Sequence, residues 1–249
     1  MNPQETQIHC WAVAASLTRG NLALPPAGRS APASWPRSVN YAEPMRIDRP
    51  PPGEELNAGE VTEAREASSL ILLRDSPEGP EVLLVQRNPE QRFMGGAWVF
   101  PGGSLHAEDG DELGTARREL EEEAGIALAA DAELVRYSRW ITPSEVKVRF
   151  DTHFFVAEAP AGVQARPDGG ECVDARWLRP RDALDAGGRD ELLLVFPTIK
   201  HLEQLAEHSS VADALARARE RRVLPIQPRV LVDGGVARVL LPGEPGYDD

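Results

Sequence analysis

Three glutamates on a predicted helix are the residues of this chain most suited to chemistry. Glu119, Glu122 and Glu123 are spaced i, i+3 and i+4, which places their carboxylates along one stripe of a helix. Like charges at this spacing repel one another, and a bound cation would relieve the repulsion. Carboxylate oxygens are hard ligands that suit Mg²⁺ or Mn²⁺, often shared with the phosphates of a substrate. A solvated acidic helix face is the alternative reading of such a run taken alone.

The residues around these glutamates predict a strand, a glycine loop and a helix. Trp98–Phe100 is strand-like, and Pro101–Gly103 forces the backbone into an unusual loop. Strong helix formers extend over Glu112–Ala124, with Asp111 as the N-cap and Gly125 as the C-terminal stop. The helix also carries an opposing apolar face, made of Leu113, Ala116, Leu120 and Ala124. We therefore expect it to dock on a sheet while its acidic stripe faces a cleft.

The string that begins at Phe100 and ends at Ile126 closely resembles the Nudix box. It consists of Phe-Pro-Gly-Gly, five residues, Asp109, eight residues, and then Arg-Glu-Leu-x-Glu-Glu-x-Gly-Ile starting at Arg118. Two features depart from the commonest box: an aspartate stands where a glutamate is usual, and the spacer to Arg118 is one residue longer. This variant is similar to that of coenzyme A diphosphatases. The resemblance favours a catalytic site over a solvated helix face.

The resemblance implies a metal site built from residues of the box. Its members would be the Gly102 carbonyl oxygen, Asp109, Glu119, Glu122 and Glu123. Arg118 would orient a neighbouring carboxylate, and Glu108 and Glu112 compete with Asp109 for its place. Bound Mg²⁺ or Mn²⁺ would neutralise a diphosphate and acidify a water that attacks one phosphorus. The candidate catalytic residues are accordingly Arg118, Glu119, Glu122 and Glu123, together with one more glutamate outside the box.

Glu171 is the candidate for that additional catalytic glutamate. It stands six positions before Trp177, a spacing similar to that in the bacterial Nudix enzyme that hydrolyses oxidised guanine nucleotides. It would serve as a metal ligand or general base. An ordinary loop acid beside Asp168 is an equally weighted alternative, because spacing alone does not assign a general base. Glu145 is the reserve candidate.

Arginines before the box carry the substrate prediction. Arg87, Arg92 and their spacing to Phe100 are similar to the signature upstream of the box in coenzyme A pyrophosphatases, although Val85 and Asn88 depart from it. A guanidinium can pair bidentately with phosphate oxygens; surface residues at a strand end are the alternative. The predicted substrate-binding residues are Arg87, Arg92, Gly103, Trp140 and Arg149. Of these, Trp140 and Arg149 would line a base or pantetheine pocket with Phe154, whereas strand aromatics more often belong to the core.

The resemblance thus implies a metal-dependent hydrolase of a small-molecule diphosphate. It would cleave the pyrophosphate bond of a nucleoside diphosphate linked to another moiety, with coenzyme A or an acyl-CoA favoured and ADP-ribose, NADH or oxidised nucleotides as alternatives. A Nudix-like module that binds a nucleotide without cleaving it is the non-enzymatic alternative. The formal charge of −13, from 40 acidic and 27 basic residues, argues against a nucleic acid polymer as partner.

The chain predicts an α/β fold, which the resemblance specifies as a Nudix-type α/β/α sandwich with a mixed sheet. Residues 1–62 read as a proline-rich disordered tail, 63–187 as the Nudix core, and 188–249 as helices and a hairpin packed on that core. The predicted strands are Ser69–Leu73, Val82–Val85, Glu133–Tyr137, Val146–Val156, Cys172–Trp177, Val230–Val232 and Val239–Leu241. The predicted C-terminal helices are Thr198–His208 and Val211–Arg221.

Two cysteines, Cys10 and Cys172, provide no disulfide framework and no zinc cluster. No apolar run approaches the roughly 18 residues of a membrane span. We therefore expect no membrane partner and a cytoplasmic location. The resemblance also raises the hypothesis of a homodimer to which the C-terminal extension contributes.

Overall fold

The computed structural model describes residue 57 and residues 60–233 and 236–248. The predicted tail falls almost entirely outside this range. So do Gly234 and Gly235, which lie between the two predicted strands of the C-terminal hairpin.

A mixed sheet forms the centre of the described structure. Its strands follow the order β3-β2-β1-β6-β5-β8, while β4 pairs with β1 and β7 pairs with β2. Strand β1 runs antiparallel to β2 and parallel to β6, which confirms the predicted mixed α/β class. The strands are β1 Arg65–Ser76, β2 Gly79–Arg87, β3 Trp98–Val99, β4 Gly102–Ser104, β5 Val135–Ile141, β6 Phe150–Glu158, β7 Cys172–Leu178 and β8 Pro225–Ile226.

Helices cover both faces of this sheet. They are α1 Glu112–Ala124, α2 Pro180–Gly188, α3 Phe196–Leu205 and α4 Val211–Glu220, and a short 3₁₀ turn, Ala107–Asp109, precedes α1. On one face, Leu120 of α1 packs in a cluster with Leu70 of β1. On the other face, Leu202 of α3 and Leu215 of α4 share a cluster with Ile71 of β1. Because successive strand residues point to opposite faces, one strand supplies both cores.

The bounds of α1 agree with the sequence prediction. The Asp111 side chain accepts a hydrogen bond from the Gly114 N–H at 2.8 Å, which caps the first turn. Gly125 adopts φ 65°, and its N–H donates to the Glu121 carbonyl at 2.9 Å. A left-handed residue ends a helix with little strain when it is glycine. The two caps therefore fix where α1 begins and ends, and with it the positions of the three glutamates on the helix.

Strands β5 and β6 differ from their predicted bounds. Strand β6 begins at Phe150 rather than Val146 because residues 146–149 belong to the loop after β5. The Thr142 hydroxyl accepts the Phe150 N–H at 2.9 Å and closes that loop. Helix α2 was not predicted at all, although Pro180 in its first turn is favourable there.

The C-terminal segment adds a two-stranded antiparallel sheet, β9 Arg229–Asp233 and β10 Val236–Leu240. Val230 pairs with Val239, as expected for the predicted hairpin strands. None of the helices in the described ranges is long and apolar enough to cross a membrane.

Candidate active site

A cavity of about 420 Å³ lies beside the glycine loop and the acidic stripe of α1. Its two ends differ in character. Charged or ionisable side chains line one end: Arg87, His106, Arg118, Glu119, Glu122 and Glu171. Uncharged side chains line the other: Phe93, Met94, Trp140, Thr142, Phe150, Thr152, Phe154, Val195, Pro197 and Thr198.

The paired glycines let the loop approach both β1 and α1. Gly102 pairs with Ser69 across the β1–β4 ladder, and a Cβ there would lie 2.6 Å from the Ser68 carbonyl oxygen. A Cβ at Gly103 would overlap the Glu119 carboxylate. The β1 backbone therefore excludes a side chain at Gly102, whereas a side chain at Gly103 would displace the Glu119 carboxylate. The loop backbone lies directly against the acidic stripe.

Glu123 lies deepest among the glutamates, at 2 % exposure. Its Oε2 accepts the Gly102 N–H at 2.9 Å, while no N–H or O–H group of the described residues donates to its buried Oε1. The Cys172 thiol, a weak donor, lies beside this carboxylate. The nearest guanidinium nitrogen, of Arg87, is 3.9 Å from Oε1. Burial raises the pKa of Glu123 to about 7. A cation next to Oε1 would offset this desolvation.

Glu119 and Glu122 are held by one nitrogen of Arg118. The Nη1 group donates to Glu119 Oε1 and to Glu122 Oε2, each at 2.8 Å. Glu119 is 6 % exposed, and burial raises its pKa above the usual range although Arg118 opposes the shift. The Glu122 side chain is 59 % exposed, so it faces the open end of the site.

Asp109 forms the strongest contact of Arg118. The guanidinium donates from Nε to Oδ1 at 2.7 Å and from Nη2 to Oδ2 at 2.9 Å. Oδ2 also accepts from the Thr115 hydroxyl at 2.8 Å and from the His106 N–H at 2.9 Å. The Arg118 hydrogen bond holds the pKa of Asp109 well below its usual range. Both carboxylate oxygens are thus engaged within the protein.

The chemistry of this donor set fits a hard divalent cation. Glu119, Glu122 and Glu123 supply carboxylate oxygens, and one buried oxygen of Glu123 receives no N–H or O–H hydrogen bond from the described residues. In the described part of the chain no group of three His, Cys, Asp or Glu side chains is arranged to hold a metal ion. Arg118 Nη1 donates hydrogen bonds to both Glu119 and Glu122 in this arrangement.

Glu171 reaches the charged end from the loop before β7. Asp168 shapes this loop by accepting the N–H groups of Gly170, Glu171 and Cys172 at 2.8 to 2.9 Å. The Glu171 side chain is exposed, and its charge contributes to the raised pKa of Glu119. The reserve candidate, Glu145, does not line the cavity.

The structure brings Arg87 to the cavity but not Arg92. The Nε of Arg87 donates to the Phe93 carbonyl at 3.3 Å, and its Nη2 donates to Gln91. These bonds fix the guanidinium near Glu123 at the charged end. Arg92 is exposed and lies outside the cavity lining.

Trp140 lines the cavity as the sequence suggested, whereas Arg149 does not. Arg149 is buried, with its Nε donating to the Thr142 carbonyl at 3.1 Å and its Nη1 donating to the Thr62 carbonyl at 2.6 Å. Its guanidinium therefore ties two backbone segments together. Arg149 was predicted to lie within a strand, but β6 begins at Phe150. Arg149 is therefore not part of the strand face that lines the cavity.

Several residues of the uncharged end were missed from sequence. Phe150, Thr152 and Phe154 alternate along β6, so all three face the cavity. The period-two pattern inside the predicted strand would have identified the first two, since only Phe154 was named. Thr198 belongs to a distant helix, and no sequence signal places it here.

A known protein family matches the part of the chain that carries the box. The model of the NUDIX domain matches residues 64–197, more than half of the chain. The chain belongs to the Nudix family. A crystal structure of a Nudix hydrolase from Alicyclobacillus acidocaldarius is 27 % identical with a TM-score of 0.59, and the match covers 62 % of this chain and 96 % of that one. This confirms the Nudix fold.

Curated relatives carry the same family name. A Nudix hydrolase of Caenorhabditis elegans is 26 % identical over 188 residues, which cover 60 % of this chain and 63 % of the relative. A Nudix hydrolase of Schizosaccharomyces pombe is 41 % identical over 62 residues, covering 25 % of this chain and 22 % of the relative. The chain thus spans less than two thirds of the length of each.

Proposed function

We propose that this Nudix chain is a metal-dependent pyrophosphohydrolase of a nucleoside diphosphate linked to another moiety. One observation carries the proposal. The buried Glu123 carboxylate has an oxygen that receives no N–H or O–H hydrogen bond from the described residues, and Glu119 and Glu122 share its helix stripe at the charged end of a substrate-sized cavity. An acidic cluster of this kind is stabilised when a cation binds it.

Glu119, Glu122 and Glu123, with the Gly102 carbonyl oxygen, would hold Mg²⁺ or Mn²⁺. Bound there, the ion would supply charge neutralisation for a diphosphate and a more acidic water. Glu122 is exposed and can turn toward the cavity without unpacking the core. Glu123 is already fixed by the Gly102 N–H, which aligns the helix with the loop.

Arg118 and Asp109 have positioning roles in this proposal. Asp109 fixes the guanidinium through two hydrogen bonds, and the guanidinium in turn sets the spacing of Glu119 and Glu122. A metal bond to Asp109 would have to replace contacts with Arg118, Thr115 or His106. Asp109 therefore acts through Arg118.

Arg87 and Glu171 complete the charged end. The guanidinium of Arg87 is near Glu123, where it would pair with a phosphate oxygen. The exposed Glu171 carboxylate would accept a proton from the attacking water. It faces the same end of the cavity, and its side chain is not engaged in holding the fold together.

Coenzyme A or an acyl-CoA is the substrate that we propose first. The spacing of Arg87 and Phe100 supports this choice, and so does a cavity with an uncharged half that could take an amide chain. ADP-ribose, NADH and oxidised nucleotides share the diphosphate chemistry. They differ in the group attached to it.

Product chromatography with a panel of these compounds and Mg²⁺ or Mn²⁺ tests the proposal. Glu122→Gln should lower kcat/KM by at least about 100-fold, because a charged ligand contributes several kcal/mol to a metal-assisted transition state. Glu121→Gln is the matched control, since Glu121 is an exposed neighbour outside the cavity lining. It should retain kcat/KM within about 2-fold. Wild-type protein without metal-dependent turnover on the whole panel would contradict the proposal and favour a nucleotide-binding module.

The homodimer and the cytoplasmic location stay predictions. A mass from light scattering tests the first. A monomeric mass would contradict it.

A further inference from the structure

The uncharged half of the cavity has a regular first wall, formed by β5 and β6. Phe150, Thr152 and Phe154 face the cavity from alternate positions of β6. Trp140 of β5 is the register partner of Thr152, which extends the same wall sideways. Aromatic faces next to hydroxyl groups suit a weakly polar ligand group.

The second wall comes from the start of α3. Val195, Pro197 and Thr198 line the cavity from this side. Thr198 lies just beyond the matched Nudix domain and is only 3 % exposed. Among the described residues its hydroxyl has no hydrogen-bond partner, and it is open to the cavity rather than enclosed by protein atoms. A hydroxyl that faces a cavity without a protein partner is available to a ligand or to water.

His201 anchors α3 to the first wall, one turn after Thr198. It is 0 % exposed, and its Nε2 is 2.6 Å from the Ser138 hydroxyl of β5. Its ring packs against Phe154 at 4.3 Å and Trp140 at 5.8 Å between centroids. Thr198 is therefore held at a fixed position relative to β5 and β6.

The charges of the cavity are segregated. Among the described lining residues, every Arg, His and Glu lies at the box end, and the walls made by β5, β6 and α3 contain none. A charged ligand group in this half would lose water without gaining an opposite charge. The half cavity therefore favours an uncharged group that offers hydrogen-bonding atoms.

We propose that α3, through the Thr198 hydroxyl, selects the group attached to the diphosphate. The inference rests on the proposed function and narrows its substrate class. The attached group is uncharged and carries oxygen or amide atoms, as a sugar or an amide-containing chain does. Thr198 is then a specificity-determining residue supplied from outside the Nudix box.

Steady-state kinetics of the full chain with three compounds test this inference. ADP-ribose supplies a sugar, coenzyme A supplies an amide chain, and the methyl ester of ADP carries neither group. Thr198→Val should raise KM about 3- to 10-fold for the compound whose group binds here, because one hydrogen bond is lost. Thr198→Ser keeps the hydroxyl and should restore KM to within about 2-fold, and kcat should change less than about 2-fold in both variants.

Thr62→Val is the matched control, because it is the same substitution at an exposed residue outside the cavity. It should leave all KM values unchanged. If Thr198→Val raises KM for ADP-ribose, the group that binds Thr198 is a sugar. If it raises KM for coenzyme A, that group is an amide chain. Unchanged KM for both compounds in Thr198→Val would overturn the inference, as would an equal change for the methyl ester, which would place Thr198 at the nucleotide itself.

Calorimetry in EDTA separates this inference from the proposed function. The probes are ADP-ribose and coenzyme A, with wild type and Thr198→Val. If the wild type hydrolyses nothing but binds a probe in a Thr198-dependent way, the hydrolase proposal fails and the selection by α3 stands. If hydrolysis occurs with no Thr198 dependence in KM or Kd, the selection by α3 is wrong. Neither hydrolysis nor Thr198-dependent binding would contradict both.

Discussion

The contact between Asp109 and Arg118 allows a quantitative prediction about how the site is held together. Their side chains are 3 % and 19 % exposed, and two hydrogen bonds of 2.7 and 2.9 Å join them. Removing one partner of a fully buried charge pair costs about 3 to 5 kcal/mol, and less is expected here because this pair is only partly buried. After Asp109→Asn, Arg118 still bonds to Glu119 and Glu122, so we expect the free energy of unfolding to fall by about 2 to 3 kcal/mol.

A double-mutant cycle isolates the pair. Asp109→Asn, Arg118→Met and the double variant would be unfolded in urea and followed by tryptophan fluorescence, since Trp98 and Trp140 are each 2 % exposed. We expect a coupling free energy of about 2 kcal/mol, within the range for contacting charged groups. A coupling below about 0.5 kcal/mol would refute the view that this pair fixes the acidic stripe.

The same variant distinguishes positioning from metal binding. Asp109→Asn should lower kcat while the Mg²⁺ concentration at half-maximal rate changes less than about 3-fold, because Asp109 acts through Arg118. Glu122→Gln should shift that concentration at least about 10-fold. A shift of similar size in Asp109→Asn would show that Asp109 binds the metal directly, as the Nudix box resemblance implied.

Three further predictions concern the buried histidine, the glycine loop and the exposed glutamate. Burial lowers the pKa of His201 to about 3, against 6.5 for an ordinary histidine. The contribution of the neutral ring to the free energy of unfolding is therefore fully present above pH 6.5 and is lost as pH falls toward 3. Between pH 6.5 and 5 the free energy of unfolding of the wild type should fall by about 2 kcal/mol relative to that of His201→Gln, at 1.36 kcal/mol per unit, as measured by urea titrations. The raised pKa of Glu123 acts in the opposite direction in both proteins and cancels in this difference. Gly103→Ala should lower kcat at least about 10-fold, because its Cβ displaces the Glu119 carboxylate, and circular dichroism should show a retained fold. Glu171→Gln should lower kcat about 100-fold or more while the Glu145→Gln control stays within about 2-fold; near-normal turnover of Glu171→Gln would remove it from the mechanism.

The parts predicted best from sequence depend on local signals. Asp111 and Gly125 fix both ends of α1, since a cap and a left-handed glycine act within one turn. The i, i+3, i+4 spacing of the glutamates then determines which helix face is acidic. Residue spacing therefore predicts that Glu119, Glu122 and Glu123 share one face of α1.

Other parts depend on tertiary contacts that spacing does not encode. Arg149 was expected at the substrate, but two backbone carbonyls from separate segments bind its guanidinium. Thr198 joins the site only because α3 packs across the sheet next to β5 and β6. Asp109 has the spacing of a box carboxylate, yet its surroundings engage both of its oxygens.

Metal-dependent cleavage by the acidic stripe is the central claim, and kcat/KM of wild type against Glu122→Gln tests it most directly. The assay would use coenzyme A and the other diphosphates with Mg²⁺, with Mn²⁺ and with EDTA. We predict turnover by the wild type with either metal, none in EDTA, and a loss of at least about 100-fold in Glu122→Gln. Equal turnover by the two proteins, or turnover that persists in EDTA, would contradict the account.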